Sequence, residues 1–178
     1  INLINFMDGL DGLVGGCLLI IIISLMFYSD LNLIPIIGSL AAFLVLNWPP
    51  AKVFMGDTGS TFLGILFFHS TFSTGSISTF IAFMLINTPL FGDASTCIVR
   101  RYINGQVIFK PHKLHLYQRL YASGWKKSSV SFLYISLTSI LSLIYYFTGM
   151  SLLIIGSLST LVIGFYLDKK HSIPFNYE

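Results

Sequence analysis

Six apolar stretches, at about 13–29, 31–48, 60–74, 77–95, 128–147 and 150–167, constrain this chain more than any other feature. A helix needs about 20 apolar residues, within a range of about 17–25, to cross the hydrocarbon core of a bilayer. The stretches come in pairs joined by short, turn-prone links: Tyr28-Ser29-Asp30-Leu31-Asn32, Ser73-Thr74-Gly75-Ser76 and Thr148-Gly149-Met150. The pattern predicts an all-α, polytopic integral membrane protein with about six transmembrane helices in three hairpins, and residues 1–178 read as a single membrane domain. The third stretch is the weakest, being short and carrying His69 near its far end. Pro89 predicts a kink in the fourth, because it removes a backbone donor.

Composition supports this reading. Of the 178 residues, 54% are hydrophobic and only 10% charged, against about 25% charged in soluble domains. There are too few polar side chains to coat a soluble core of this size. No charged leader precedes the apolar run Leu18–Ile23, so that run is not a signal-peptide core. Ile1 stands where a natural chain carries Met, and a motif begins at Asn2, so the chain reads as the C-terminal part of a longer protein whose N-terminal part is absent. Cys17 and Cys97 match no redox or metal spacing and read as packed thiols with no disulfide.

The distribution of charge is a pattern independent of hydropathy, and the two agree. All ten Lys and Arg (Lys52, Arg100, Arg101, Lys110, Lys113, Arg119, Lys126, Lys127, Lys169 and Lys170) fall on one side of the six-span layout. The positive-inside rule makes that side the cytoplasm and puts both termini there. Asp8, Asp11, Asp57 and Asp93 join the basic side, while Asp30 lies on the other. Acids gathered at one rim argue for chemistry at a surface and against a conduction path. The net charge of +3 is explained by topology, and no basic patch interleaved with exposed aromatics points to nucleic acid.

Three stretches on the basic side carry chemistry. The first, Asn2 to Leu13, holds Asn5 and two Asp-Gly pairs, Asp8-Gly9 and Asp11-Gly12. A helix cap needs one Asp, and this stretch supplies two. The second, Asn47 to Ser60, contains Pro49, Pro50, Lys52, Phe54, Gly56, Asp57 and Gly59. Its glycines permit close backbone approach to a ligand, and Asp57 is the hard oxygen donor that Mg²⁺ prefers alongside substrate phosphates. The third is the longest loop, about 96–127, with Arg100, Arg101, Lys110, His112, Lys113, His115, Gln118 and Arg119. A juxtamembrane basic loop attracted to anionic lipid accounts for its cations but not for its two histidines. Zinc would need further His or Cys ligands, and none is near them in the chain.

Together these stretches resemble the polyprenyl-phosphate N-acetylhexosamine-1-phosphate transferases, glycosyltransferase family 4, over nearly the whole chain as that family's C-terminal half. Asn5 to Leu13 is similar to Asn-x-x-Asp-Gly-Leu-Asp-Gly-Leu, and Asn47 to Ser60 to Asn-x-x-Pro-Ala-x-x-Phe-Met-Gly-Asp-x-Gly-Ser. The third motif departs from a His-rich cluster, with Leu116, Tyr117 and Gln118 after His115. That form, with Arg100-Arg101 upstream, resembles the O-antigen-initiating branch more than the muramoyl-pentapeptide branch.

The resemblance implies transfer of a HexNAc-1-phosphate from a UDP-sugar to undecaprenyl phosphate, with release of UMP, at the cytoplasmic face of the bacterial cytoplasmic (inner) membrane. It implies Mg²⁺ as cofactor, with Mn²⁺ as an alternative ion, and Asp57 as the metal ligand. Asp8, Asp11 and Asn5 would hold the nucleotide or its metal shell, with Phe54 against the uracil and Asn47 beside it. His112 and His115 would bind the diphosphate or sugar, helped by Arg100, Arg101 or Arg119; an oligomer is compatible with all of this. The family also carries an adjacent Asp-Asp pair in an earlier cytoplasmic loop, which this sequence lacks, so these residues alone are expected to be inactive. The competing readings are a transporter segment centred on Pro89 to Asp93 and an inactive remnant or interaction fragment of a transferase.

Overall fold

A computed structural model describes residues 2–107 and 112–175; the expectation for Lys110 falls outside them. Among the described residues every regular element is a helix: α1 (Asn2–Met7), α2 (Leu13–Leu25), α3 (Ile34–Asn47), α4 (Gly56–Phe72), α5 (Ile77–Ile86), α6 (Thr88–Ile103), α7 (Leu116–Ala122), α8 (Lys127–Thr148) and α9 (Met150–Lys170).

The sequence of α2, LVGGCLLIIIISL, is apolar on every side, and such a helix has to be enclosed. It lies at the centre, packed against α1, α3, α4 and most extensively α8. Leu13, Cys17, Leu18, Ile21, Ile22 and Leu25 have no exposed surface. Gly16 lets α8 approach closely, because a Cβ there would run into the Ile135 side chain. At the far end of α8 the chain reverses at Gly149, whose φ of 79° is open to glycine at no steric cost. α9 then returns along α8 and also packs on α5 and α6. The outer faces of this hairpin present large apolar side chains, Phe147 at 75% and Val162 at 67% exposure. Such surface is stable against lipid and costly against water.

Each of the six apolar stretches carries helix, but the helices differ in reach. Among the described residues only α8 and α9 are individually long and apolar enough to cross a membrane, and α5 with α6 makes a third if the bent pair is one span. α2 has 13 residues and α3 has 14, which rise about 20 Å against a hydrocarbon core of about 30 Å. Their ends are lost to turns at 26–28 and to the link before Pro35, which occupies the first turn of α3. The break in the fourth stretch is a 73° bend, and it falls at Asn87 rather than Pro89. Pro89 sits in the first turn of α6, where its missing N–H costs no helix bond.

Candidate active site

The first two motifs are built into one another. Asn47, the last residue of α3, is buried and uses both ends of its amide. Its Oδ1 accepts the Gly12 backbone N–H at 2.9 Å, and its Nδ2 donates to the Val53 carbonyl at 2.8 Å. Gly12 takes φ 74°, with the Trp48 ring 3.0 Å from where a Cβ would stand, so any side chain there is doubly disfavoured. Asp11 is also buried. Its Oδ2 accepts the Ala51 N–H at 3.2 Å and pairs with Lys127 Nζ at 3.1 Å, while its backbone carbonyl accepts the Ser131 hydroxyl at 2.7 Å. The Ser60 hydroxyl donates to Asn5 Oδ1 at 2.6 Å. Asp11 and Asn47 therefore hold the α1–α2 turn against the loop 48–55, and Asn5 ties α1 to α4.

Two carboxylates are left facing outward from this junction. Asp57 is exposed in the first turn of α4, at the positive end of that helix. Asp8 is partly buried. Burial first, and the charge of Asp57 second, push its carboxyl up from 3.8 to about 7. Like charges that resist joint ionisation are relieved by a cation between them, and oxygen donors of this kind suit Mg²⁺. Phe54, three residues before Asp57 in the chain, is 72% exposed, and Lys52 is also exposed.

The third motif is held by an acid. Asp93 of α6 accepts the Leu116 N–H through Oδ1 at 2.7 Å and the Tyr117 N–H through Oδ2 at 3.1 Å, so it satisfies two free donors at the start of α7. The Tyr134 hydroxyl donates to the same carboxylate at 2.8 Å. The Gln118 side chain accepts the His115 N–H at 3.3 Å. His115 is buried and stacked on Tyr117, with ring centroids 5.8 Å apart. Tyr117, fully enclosed, donates its hydroxyl to the Phe6 carbonyl at 3.3 Å and so ties this motif to the first. Burial first, then the charges of Asp93 and Asp8, push that hydroxyl well above its ordinary value, so it stays protonated.

His112 lies 5.0 Å from His115 between ring centroids. Burial first, then the neighbouring His115 and Arg101 charges, push its imidazole down from 6.5 to about 4. It is therefore neutral at pH 7, and its Nδ1 accepts the Leu114 N–H at 3.2 Å.

The three arginines are committed to the fold around them. Arg119 is buried and donates to Asp168, to the Leu114 carbonyl at 3.1 Å, and to the Ser172 hydroxyl and Ile173 carbonyl at 3.0 and 2.9 Å. Arg100 pairs with the other oxygen of Asp168 at 2.5 Å. Both guanidinium groups lie over the Phe175 ring. Arg101 is buried, and its Nε donates to Gln106 Oε1 at 3.1 Å. The pairings of Asp168, Asp93, Tyr117 and Lys127 join segments distant in the chain and are not legible in the sequence. Asp168 sits beside Lys169 and Lys170, where it passes for part of a solvated tail. Of the residues singled out from the sequence, Asp8, Asp57, Phe54 and His112 keep accessible surface, while Asn5, Asp11, Asn47, Arg101 and Arg119 are engaged in holding the site together.

The chain is similar in sequence to known proteins of one family. Residues 1–75 match Glycosyl transferase family 4. The chain is 39% identical, over 69% of its length, to the probable undecaprenyl-phosphate N-acetylglucosaminyl 1-phosphate transferase of Bacillus subtilis (strain 168), of which it covers 38%. It is 34% identical, over 70% of its length, to the decaprenyl-phosphate N-acetylglucosaminephosphotransferase of Mycobacterium leprae (strain TN), covering 39% of that protein. It is 32% identical, over 80% of its length, to the phospho-N-acetylmuramoyl-pentapeptide-transferase of Kosmotoga olearia, covering 46%. The chain thus spans less than half the length of these relatives, and no solved structure matches it. Three motifs in family order, joined through Asn47, Ser60 and Tyr117, together with these relatives, make the chain a member of glycosyltransferase family 4.

Proposed function

We propose that this chain supplies the nucleotide-sugar and metal face of a transferase that moves HexNAc-1-phosphate from a UDP-sugar to undecaprenyl phosphate. In that reaction a phosphate oxygen of the lipid attacks the sugar-bearing phosphorus. The bridging P–O bond breaks, and UMP leaves with the electron pair. The observation that carries the reading is the meeting of the three motifs around Asp8 and Asp57, the coupled carboxylates left outside the hydrogen-bonded junction.

Phosphoryl transfer depends mainly on positioning and on neutralising charge. Asp57 with Asp8 would hold Mg²⁺, which when bound neutralises charge on the diphosphate oxygens. Phe54 offers an exposed ring for the uracil, and neutral His112 can donate from Nε2 toward the sugar phosphate. Asn5, Asp11 and Asn47 position these groups, and Asp93 orients the histidine-bearing turn. The clustering of cations at the α6, α8 and α9 ends that meet Asp11 and Asp168 supports a cytoplasmic active face in the bacterial inner membrane. The His112–His115–Tyr117–Gln118 form supports the O-antigen-initiating branch.

The test is UMP release from UDP-N-acetylhexosamine by the protein expressed at its full natural length. Asp57→Asn is expected to lower turnover at least about 100-fold, the scale of losing one transition-state electrostatic partner, while Lys52→Ala retains activity. Undiminished turnover in Asp57→Asn rejects the role. Solute flux in proteoliposomes with no sugar-phosphate transfer rejects the transferase reading altogether.

A further inference from the structure

The two histidines have a third neighbour that the spacing of the chain hid. Cys97, one helical turn before Arg101 on α6, brings its sulfur to them. One ligand atom from each of Cys97, His112 and His115 lies within 4.8 Å of the others. We propose that these three residues form a binding site for a borderline-soft divalent cation of the zinc class, separate from the Asp8–Asp57 carboxylates.

The chemistry of the donors selects the ion. A thiolate and two imidazoles suit zinc, whereas Mg²⁺ demands oxygen ligands. Three protein ligands with an open fourth position match the sites in which zinc keeps an exchangeable partner. Zn–S near 2.3 Å and Zn–N of about 2.0–2.1 Å put tetrahedral donor pairs about 3.3–3.6 Å apart. Side-chain rotation closes the cluster by the roughly one ångström required. Binding forms an S–Zn bond as the Cys97 thiol gives its proton to solvent, with no change of oxidation state.

The surroundings fit a ligand set held ready. His112 Nδ1 takes the Leu114 N–H at 3.2 Å, so the neutral ring carries its proton on Nε2, and an ion takes the Nδ1 lone pair by displacing that long hydrogen bond. His115 is 3% exposed, and its Nδ1 has no hydrogen-bond partner among the described residues. It faces Asp93 Oδ1 at 3.8 Å, slightly beyond a hydrogen bond. A buried imidazole nitrogen without a partner is costly. Coordination through Nδ1 gives that atom the partner it lacks. Cys97 is 2% exposed, so it is shielded from oxidants, while His112 keeps enough exposed surface to admit an ion. The cap that Asp93 places on α7 fixes His115 whether or not an ion is present.

Titration of the purified full chain in detergent with Co²⁺, a spectroscopic stand-in for Zn²⁺, tests the site without any nucleotide sugar. The expected result is one equivalent of Co²⁺ with a thiolate-to-cobalt charge-transfer band that Zn²⁺ abolishes and excess Mg²⁺ does not. Cys97→Ser and Cys97→Ala should remove the band and keep wild-type helicity by circular dichroism. Cys17→Ser should leave the band intact, and His115→Ala should weaken binding at least about tenfold. No band in the folded wild type, or a band that survives in Cys97→Ser, overturns the site. Either outcome leaves the transferase reading standing, and undiminished transfer in Asp57→Asn leaves the zinc site standing.

Discussion

Asn47 Oδ1 accepts the backbone N–H of Gly12 at 2.9 Å, joining residues 35 apart in the chain at the point where two motifs meet. The same side chain donates to the Val53 carbonyl, so one amide satisfies a donor on one motif and an acceptor on the other. In a loop flanked by apolar helices, an unmatched donor or acceptor costs about 1–3 kcal/mol. Such a residue acts on function by fixing the shape of the site.

That relationship predicts a stability defect. Asn47→Ala orphans both backbone groups and should lower unfolding stability in detergent by about 1–3 kcal/mol. Lys52→Ala, at an exposed position, should stay within about 0.5 kcal/mol of wild type. Asn47→Asp keeps the acceptor for Gly12 but sets a carboxylate against the Val53 carbonyl, so it should not rescue. Equal stability of Asn47→Ala and wild type would remove the amide from its assigned role.

The clamp at the C-terminal end makes a second, independent prediction. Asp168 faces both Arg100 and Arg119, and Arg119 is 3% exposed. Asp168→Asn leaves a buried guanidinium without its counter-charge, a change that costs about 3–5 kcal/mol in buried pairs. The variant should melt earlier and be cut sooner by protease near residues 170–175. Arg119→Lys should not substitute, because an ammonium cannot reach Leu114, Asp168, Ser172 and Ile173 with one planar fork. Wild-type protease resistance in Asp168→Asn would show that the tail is held by something else.

The pKa of Asp8 gives a pH dependence with a definite sign. Its folded value of about 7 lies above the ordinary 3.8, so between these limits the folded chain binds the proton that the unfolded chain has released. Without a divalent cation, stability therefore falls as pH rises from about 4 through about 7. A cation reverses the preference by stabilising the ionised form, so Mg²⁺ affinity should increase between pH 6 and pH 8 and binding should release a proton at the lower pH. Calorimetry in two buffers of different ionisation enthalpy measures that proton. Asp57→Asn should bring the Asp8 value down only partway, because burial is the larger cause. Mg²⁺ binding with no proton release at pH 6 would contradict the coupling.

Much of this was legible in the sequence, in places for reasons that can be named. The apolar runs marked the long helices, and the two Asp-Gly pairs with the Asn47–Ser60 stretch marked the candidate site, because those residue types are too polar to be idle beside membrane spans. Periodicity could not report helix length: α2 stops at Leu25 although the apolar run continues to Tyr28. Residue type also could not separate a ligand from a support. Arg119 and Phe54 read alike as candidates, yet one is sealed by five groups and the other stands open. Contacts between distant segments were beyond reach, which is why Asp93, Asp168 and the approach of Cys97 to the histidines emerged only in three dimensions.

The close packing of α2 on α8 decides where Asp11 stands, and it can be probed from the opposite end of the helix turn. A Cβ at Gly16 would collide with the Cδ1 and Cγ1 atoms of Ile135. Gly16→Ala therefore has two opposed effects: alanine favours helix over glycine by about 1 kcal/mol, and overpacking costs about 1–3 kcal/mol. Overpacking should win, because α8 is also fixed to the α1–α2 turn by Ser131 and Lys127 and cannot retreat freely. Adding Ile135→Ala should return the helix-propensity gain, so that the double variant is more stable than Ile135→Ala alone. A double-mutant cycle by thermal unfolding in detergent reads the coupling. Additive effects would mean that the two helices do not touch at Gly16, and the placement of Asp11 beside Ala51 would then lose its support from α8.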